Sequence, residues 1–147
     1  VEISGVKPTD NLTCKDIVGR FSQEMGLKID DSEISTARPL PSYGEAKEDK
    51  IIVKFLKRDT RNEFYGSRKM VAGRRASSLD ALKEFDVKDT RIYISESLTQ
   101  FRKKLFGAVN KIKKKLQWKY IWTNNGKIYL KQSDKKTFHF QLNGRPT

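Results

Sequence analysis

The chain carries at residues 120–131 the stretch YIWTNNGKIYLK, in which apolar and polar residues alternate on both sides of Asn125-Gly126. An Asn-Gly pair between two such runs is the strongest short-range signal for a β-hairpin, because a type I′ turn needs a positive φ at both central residues. This turn places Trp122 opposite Tyr129. The sequence therefore predicts a two-stranded ribbon that closes at Gly126.

The two faces of this predicted ribbon differ in chemistry. One face is mostly aliphatic and consists of Ile121, Thr123, Ile128 and Leu130, with Ile121 opposite Leu130. The other is aromatic and basic and consists of Tyr120, Trp122, Lys127, Tyr129 and Lys131, with Trp118 further along. If the aliphatic face packs on the neighbouring helix, the aromatic face is free to bind a ligand. If the aromatic face packs there instead, it is core.

An amphipathic helix precedes the ribbon. Apolar residues recur at spacings of three or four, which is typical of a helix with one buried stripe: Leu98, Phe101, Leu105, Val109, Ile112 and Leu116. Thr99 is the expected N-cap. Basic residues occupy most of the remaining helix surface: Arg102, Lys103, Lys104, Lys111, Lys113, Lys114 and Lys115. Residues 137–140 alternate and predict a third strand, so residues 98–147 are expected to form a small basic α+β domain.

The first part of the chain predicts the order strand, helix, strand, strand, helix, strand. The expected strands are residues 1–6, 31–38, 51–56 and 91–94, with a loop at 39–50. The first helix is expected at 12–25, and a capping box formed by Thr60 and Glu63 is expected to open the second. This order is that of the ferredoxin-like split βαβ unit. The sequence therefore predicts an α+β protein with an RRM-like domain at 1–95.

The charge and composition of the chain limit the classes of partner that it can be expected to bind. The 147 residues include 31 Lys and Arg and 18 Asp and Glu, a net charge of +13, and residues 98–147 hold 13 basic residues and one acid, Asp134. Such a one-sided excess favours an anionic partner, most commonly nucleic acid. With 36% hydrophobic residues the chain is too apolar to be disordered. No apolar run approaches the ~18 residues of a membrane span, so we expect no membrane partner.

A second basic cluster surrounds the end of the third predicted strand and the helix after it. It comprises Lys57, Arg58, Arg61, Arg68, Lys69, Arg74 and Arg75. Arg61 and Arg68 are seven residues apart and therefore share one face of a continuous helix. The planar guanidinium of arginine suits phosphate because it can form two parallel hydrogen bonds. The alternative is an ordinary solvated helix.

The sequence contains no recognisable catalytic set. The acids are scattered, and neither a GxxxxGK[ST] nor a GxGxxG phosphate-binding motif is present. Cys14 and His139 lie in different predicted domains and cannot supply a disulfide or a zinc site. Cys14 is expected to be a buried inert residue, and His139 a residue on a strand face. We therefore expect no enzymatic activity, no cofactor and no metal.

Several of these segments together resemble a known family. They are residues 1–6, 51–55, 58–63, 91–99 and 120–128, of which 91–131 is the most specific part. They are similar to the baculovirus few-polyhedra (FP) protein domain, which is widespread in insect retroelement-like proteins. A more distant similarity is to the first-open-reading-frame protein of LINE retrotransposons, which has an RRM-like domain followed by a C-terminal domain.

The resemblance implies binding of single-stranded RNA without strong sequence preference, and nucleic-acid chaperone activity in a ribonucleoprotein particle. By position, the residues that it assigns to RNA contact are Arg58, Arg61, Arg102, Lys103 and Trp122. The third strand lacks the aromatic pattern of ordinary RRMs. RNA is therefore expected in a groove between the two domains rather than across the sheet. The chain has no heptad segment, so self-association is expected through a segment upstream of Val1. Because the first residue is not Met, we expect the chain to be a fragment or a processed product.

The partner expected from these observations is single-stranded RNA or single-stranded DNA. The rival interpretation is a viral or host adaptor whose basic surface binds acidic proteins, and a second rival is recognition of duplex RNA. With one cysteine and no cystine, the chain is expected in a reducing compartment, the cytoplasm or the nucleus.

Overall fold

The structure, a computed structural model, describes residues 1–40 and 49–133 together with the backbone of residues 136–140. The chain divides into two compact units, Val1–Ser95 and Glu96–Thr147, which we call the N-terminal and C-terminal units. Each contains α-helix and an antiparallel sheet. The fold is therefore of mixed α+β class, as the sequence predicts.

The N-terminal unit contains four strands and two α-helices among its described residues. In chain order they are β1 (Glu2–Ser4), α1 (Cys14–Glu24), β2 (Ile34–Leu40), β3 (Lys50–Phe55), α2 (Arg58–Gly66) and β4 (Tyr93–Ser95). The strands form one antiparallel sheet in the order β2-β3-β1-β4, so β2 and β4 are its edges.

Alternate strand residues build the core of this unit. Ile3 and Ile51 are fully buried on one face of the sheet, and they pack with Ile17 and Phe21 of α1 and Phe64 of α2. Successive side chains of a strand point to opposite faces, so the residues between them form a second face away from the helices.

The first helix begins as the sequence predicts and the second does not. At α1, the Thr13 hydroxyl accepts a hydrogen bond from the Asp16 N–H at 3.2 Å, and the Asp16 carboxylate accepts one from the Thr13 N–H at 2.9 Å. Hydrogen bonds to the Asp16 carboxylate from the backbone and the side chain of Thr13 lower the pKa of Asp16. The predicted capping box at Thr60 is wrong, because α2 already begins at Arg58 and Thr60 lies buried within its first turn.

The second strand continues two residues beyond its predicted end at residue 38, through Pro39 to Leu40. Pro39 lies inside β2, opposite Ile51 of β3. Proline lacks an N–H and is tolerated on an edge strand, where its nitrogen can face away from the ladder. Most of the loop predicted at 39–50 falls on residues 41–48, which lie outside the described residues.

The C-terminal unit is a helix followed by a three-stranded sheet. Its elements are α3 (Gln100–Leu116), β5 (Tyr120–Asn124), β6 (Lys127–Ser133) and β7 (Lys136–Phe140), with sheet order β5-β6-β7. Thr99 is the N-cap of α3, and β7 is the predicted third strand. In the part of the chain that the structure describes, none of the helices is both long and apolar enough to cross a bilayer.

Gly5 joins three segments of the N-terminal unit. It follows β1 with φ of 104°, its N–H donates to the Asp49 carbonyl at 3.1 Å, and its carbonyl accepts from the Thr90 hydroxyl. A Cβ at this position would lie 2.2 Å from the Arg91 carbonyl oxygen. Glycine is therefore required here both by the backbone conformation and by the close approach of residue 91.

Gly5→Ala is expected to lower the free energy of unfolding of the N-terminal unit by about 2–4 kcal/mol, because left-handed strain and steric overlap add. The matched control is Gly19→Ala in α1, where a Cβ would meet nothing within 4 Å and alanine should stabilise the helix by ~0.5–1 kcal/mol. Urea unfolding followed by far-ultraviolet circular dichroism measures both. Equal stability of the two variants would contradict the assignment of Gly5.

Candidate nucleic-acid interface

The predicted hairpin is present with the predicted register. Asn125 and Gly126 have φ values of 52° and 76°, as a type I′ turn requires. Trp122 pairs with Tyr129, and Ile121 pairs with Leu130. Both cross-strand pairings inferred from the sequence are therefore confirmed.

The aliphatic face of the hairpin packs on α3. Ile128 and Leu130 are fully buried, and they form a core cluster with Val109 of the helix. The partly buried side chains of Leu105, Phe106, Trp118 and Ile121 pack against this cluster. Of the two arrangements that the sequence left open, the structure has the one in which the aliphatic face is inside.

The opposite face of the hairpin carries Tyr120, Trp122, Lys127, Tyr129 and Lys131, and we call it the aromatic face. The rings of Trp122 and Tyr129 stack with centroids 5.4 Å apart and planes 10° apart. Tyr120 is 39% exposed. The ammonium groups of Lys119 and Lys131 lie 5.4 and 5.8 Å from the centroid of its ring. Flat rings and cations thus alternate across one surface.

Trp118 does not extend this surface as the strand alternation predicts. Gln117 ends α3 in the left-handed conformation, with φ of 57°, and β5 begins only at Tyr120. Trp118 therefore lies before the strand, where the alternation does not yet hold, and it packs against the core.

Two side chains hold the turn of the hairpin. The Gly126 N–H donates to Oε1 of Glu96 at 3.3 Å, and Nη1 of Arg102 donates to the Gly126 carbonyl at 2.9 Å. Glu96 is only 4% exposed. Arg102, predicted as an RNA contact, therefore has a structural partner within its own unit. Sequence reasoning missed Glu96, although it is the last acid before a stretch without acids that continues to Ser133.

The lysines of α3 lie mainly at the surface. Lys103, Lys104, Lys111, Lys114 and Lys115 are exposed, and α3 contains seven basic residues and no acid. The predicted apolar stripe is buried only in part, since Ile112 is 46% and Leu116 is 53% exposed. A 17-residue helix is about 25 Å long and a five-residue strand about 17 Å.

Two arginines of the N-terminal unit, Arg61 and Arg68, contact the same tyrosine ring. The guanidinium carbons of Arg61 and Arg68 lie 5.0 and 3.9 Å from the centroid of Tyr65, and Nη1 of Arg68 donates to the Tyr65 carbonyl at 3.0 Å. The prediction that a continuous helix aligns them is wrong, because α2 ends at Gly66. The buried ring of Tyr65 brings them together instead.

The other members of this cluster divide into two groups. Lys57, Arg58 and Lys69 are exposed. Arg74 pairs with Glu24, and Arg75 with Asp89, each with an N–O distance of 3.5 Å. The exposed pair of Arg75 and Asp89 fits the alternative of an ordinary solvated surface, whereas Arg74 pairs with a mostly buried carboxylate. A binding role for Arg74 and Arg75 stays a prediction, as does the groove expected between the two domains.

The described residues also show what surrounds the remaining reactive groups. Burial raises the pKa of the Cys14 thiol, which disfavours the reactive thiolate. Within residues 1–40 and 49–133, no three His, Cys, Asp or Glu side chains are grouped closely enough to hold a metal ion. An open cleft of about 530 Å³ beside α1 is lined by charged side chains such as Lys15, Asp16 and Arg20. The side chain of His139 lies outside the described part.

The C-terminal helix and sheet coincide with a known domain family. Residues 99–140 match the family model of baculovirus FP protein domain 2. This FP domain 2 segment contains α3 and all three strands of the C-terminal unit, so the predicted resemblance to the FP protein is confirmed for that part of the chain. Neither a curated protein nor a solved structure matches the chain. The more distant similarity to LINE proteins stays a prediction.

Arg102→Ala is expected to lower the free energy of unfolding of the C-terminal unit by about 1–2 kcal/mol, because the Gly126 carbonyl loses a charged hydrogen-bond donor. Both tryptophans of the chain, Trp118 and Trp122, lie in this unit. Urea unfolding followed by tryptophan fluorescence therefore reports on it selectively.

The matched control for that measurement is Lys104→Ala, which removes one positive charge from the same turn of α3 but from an exposed position. Its stability should lie within ~0.5 kcal/mol of the wild type. If both variants lose the same stability, the Arg102 contact with the turn has no structural role.

Proposed function

We propose that the protein binds single-stranded RNA without strong sequence preference, as a chaperone or packaging component of a ribonucleoprotein particle. The observation that carries this proposal is the aromatic face. There, Trp122 and Tyr129 stack on the side of the hairpin opposite its core, between Lys127 and Lys131. Proteins that bind single strands combine cations for the backbone with flat side chains for the bases.

The two kinds of side chain contribute differently to the proposed binding. Lysines of α3 and of the hairpin pair with phosphates and release counterions, which makes the affinity steeply dependent on salt. Stacking of one base on an aromatic ring contributes about 1–3 kcal/mol to the free energy of binding, whichever base it is. Because neither contribution reads base edges, this arrangement predicts tolerance of sequence. Arg58 and the arginines at Tyr65 provide further phosphate donors on the N-terminal unit.

We also propose that the N-terminal unit has the ferredoxin-like arrangement of RRM domains. Its support is the element order β1-α1-β2-β3-α2-β4 with both helices packed on one face of the sheet. The sheet order β2-β3-β1-β4 supports it as well, because the two central strands are the first and third in sequence. The similarity to LINE retrotransposon proteins belongs to the same proposal.

One observation favours the rival function, an adaptor for an acidic protein. Ile112 and Leu116 lie one helical turn apart and are both about half exposed among lysines. An acidic amphipathic segment would cover these apolar side chains and pair with the lysines around them. Such a partner predicts that RNA and other polyanions bind equally well.

Fluorescence anisotropy of the full chain distinguishes these functions. A labelled single-stranded RNA of ~20 nucleotides, its duplex and heparin as competitor are titrated across a salt series. The proposal expects the protein to bind the single strand more tightly than the duplex. Heparin should displace the single strand less readily than it displaces the duplex. Equal binding of all three polyanions favours the adaptor, and preference for the duplex favours shape recognition of paired RNA.

Trp122→Ala is expected to weaken single-strand binding by about 1–3 kcal/mol, because one stacked base is lost. Trp122→Phe is the matched control, since it keeps a flat ring and should retain most of the affinity. Unchanged circular dichroism verifies that both variants are folded. Wild-type affinity in folded Trp122→Ala would exclude this ring from the interface.

Arg58→Ala and Arg61→Ala are each expected to reduce the slope of log K against log salt concentration by about one, because each removes one phosphate contact. Lys88→Ala removes an exposed positive charge elsewhere in the same unit and should leave the slope unaltered. Anisotropy at four or more salt concentrations gives the slopes. If the slopes of Arg58→Ala and Arg61→Ala equal the slope of Lys88→Ala, RNA does not contact these arginines of α2.

A further inference from the structure

The sheet of the N-terminal unit has a second face on the side away from α1 and α2. Ile3, Ile51 and Ile94 point toward the helices and are buried. Their neighbours along each strand therefore point the other way. We call this second surface the open sheet face.

The strand register places the side chains of the open sheet face in rows. One row runs from β4 to β2 through Tyr93, Ser4, Lys50 and Leu40. The next row runs through Ser95, Glu2, Ile52 and Arg38, and Lys54 pairs with Thr36 beyond it. Strands lie about 4.8 Å apart, so these rows cross a surface ~15 Å wide.

An aromatic ring lies at one edge of this surface. Tyr93 on β4 is 56% exposed. No aromatic residue lies on the open face of β1 or β3. Glu2 and Ser4 occupy this face of β1, and Lys50, Ile52 and Lys54 occupy it on β3, whereas the ring of Phe55 is buried in the core. The sequence pattern of ordinary RRMs therefore gives no hint of this ring.

The charge of the open sheet face suits a polyanion. It carries Arg38, Lys50 and Lys54 against a single acid, Glu2. Arg38 and Lys54 are exposed, whereas the aliphatic side chains of Ile52 and Leu40 are half-buried. The centre of a protein–protein interface is depleted in charged residues, whereas the two central strands of this face carry Glu2, Lys50 and Lys54.

We propose that the open sheet face is a second binding surface for single-stranded RNA, with Tyr93 stacking on a base and Arg38 and Lys54 contacting phosphates. This inference rests on the proposed function and adds a surface to it that is separate from the aromatic face. Tyr93 on one edge strand and Arg38 on the opposite edge strand mark the two ends of a path of ~15 Å across the sheet.

The test uses the full chain and the same ~20-nucleotide single strand. Tyr93→Ala is expected to weaken binding about 5- to 100-fold, the equivalent of one lost stack, whereas Tyr93→Phe keeps the ring and stays within about 2-fold of the wild type. The double variant Arg38→Ala/Lys54→Ala should lower the salt slope by about two. Its charge-matched control, Lys15→Ala/Lys88→Ala, changes exposed cations outside the open sheet face and should leave the slope unaltered.

A second measurement does not depend on any variant being folded. Ultraviolet crosslinking of wild-type protein to RNA that contains 4-thiouridine, followed by mass spectrometry of the peptides, should find crosslinks at Tyr93 or its neighbours in β1 and β4. Crosslinks confined to the C-terminal unit would overturn the proposal.

The outcomes separate this inference from the function on which it rests. Weak binding of Trp122→Ala with wild-type binding of Tyr93→Ala overturns the open sheet face and leaves the aromatic face in place. Weak binding of Tyr93→Ala with wild-type binding of Trp122→Ala supports RNA binding at the open sheet face and excludes the ring of Trp122 from the interface. A wild-type chain that binds no single strand overturns both.

Discussion

The two-residue turn at Asn125 and Gly126 is the constraint on which the C-terminal unit depends. Because side chains alternate along a strand, a shift of one residue would exchange the two faces of the hairpin. The turn fixes the register in which Ile128 and Leu130 reach Val109. The same register turns Trp122 and Tyr129 to the opposite side, so the core and the candidate interface have one common origin.

The excess of positive charge destabilises the folded C-terminal unit. Arg102 and six lysines occupy one helix without an acid, and like charges destabilise a compact state. Among the described residues of the unit, the buried cluster consists of Val109, Ile128 and Leu130, and small domains are marginally stable. A polyanion that pairs with the lysines would relieve their repulsion and stabilise the folded unit by mass action. Stability and proposed binding are therefore linked through the same side chains.

Turns and helix caps that involve residues close in sequence were predicted correctly in three cases. The Asn-Gly turn, the capping box at Thr13 and the N-cap at Thr99 each involve residues close in sequence, and all three are present. The predictions that failed misplaced the ends of helices and strands: α2 begins at Arg58 and ends at Gly66, and β5 begins only at Tyr120. Trp118 packs in the core because the chain turns before β5, and Arg61 meets Arg68 through the ring of Tyr65. Glu96 and Tyr93 were missed because only tertiary structure shows which buried acid holds a turn and which strand face stays open.

Pro39 has a consequence beyond its own strand. An exposed sheet edge offers unpaired N–H and C=O groups on which a second chain can grow. Since proline has no N–H to donate, the edge of β2 presents an incomplete pattern, and Arg38 beside it adds charge. The RNA packaging proposed above would bring many copies of the chain together. An edge with this gap is a poorer template for a further strand, which would limit aggregation among crowded copies.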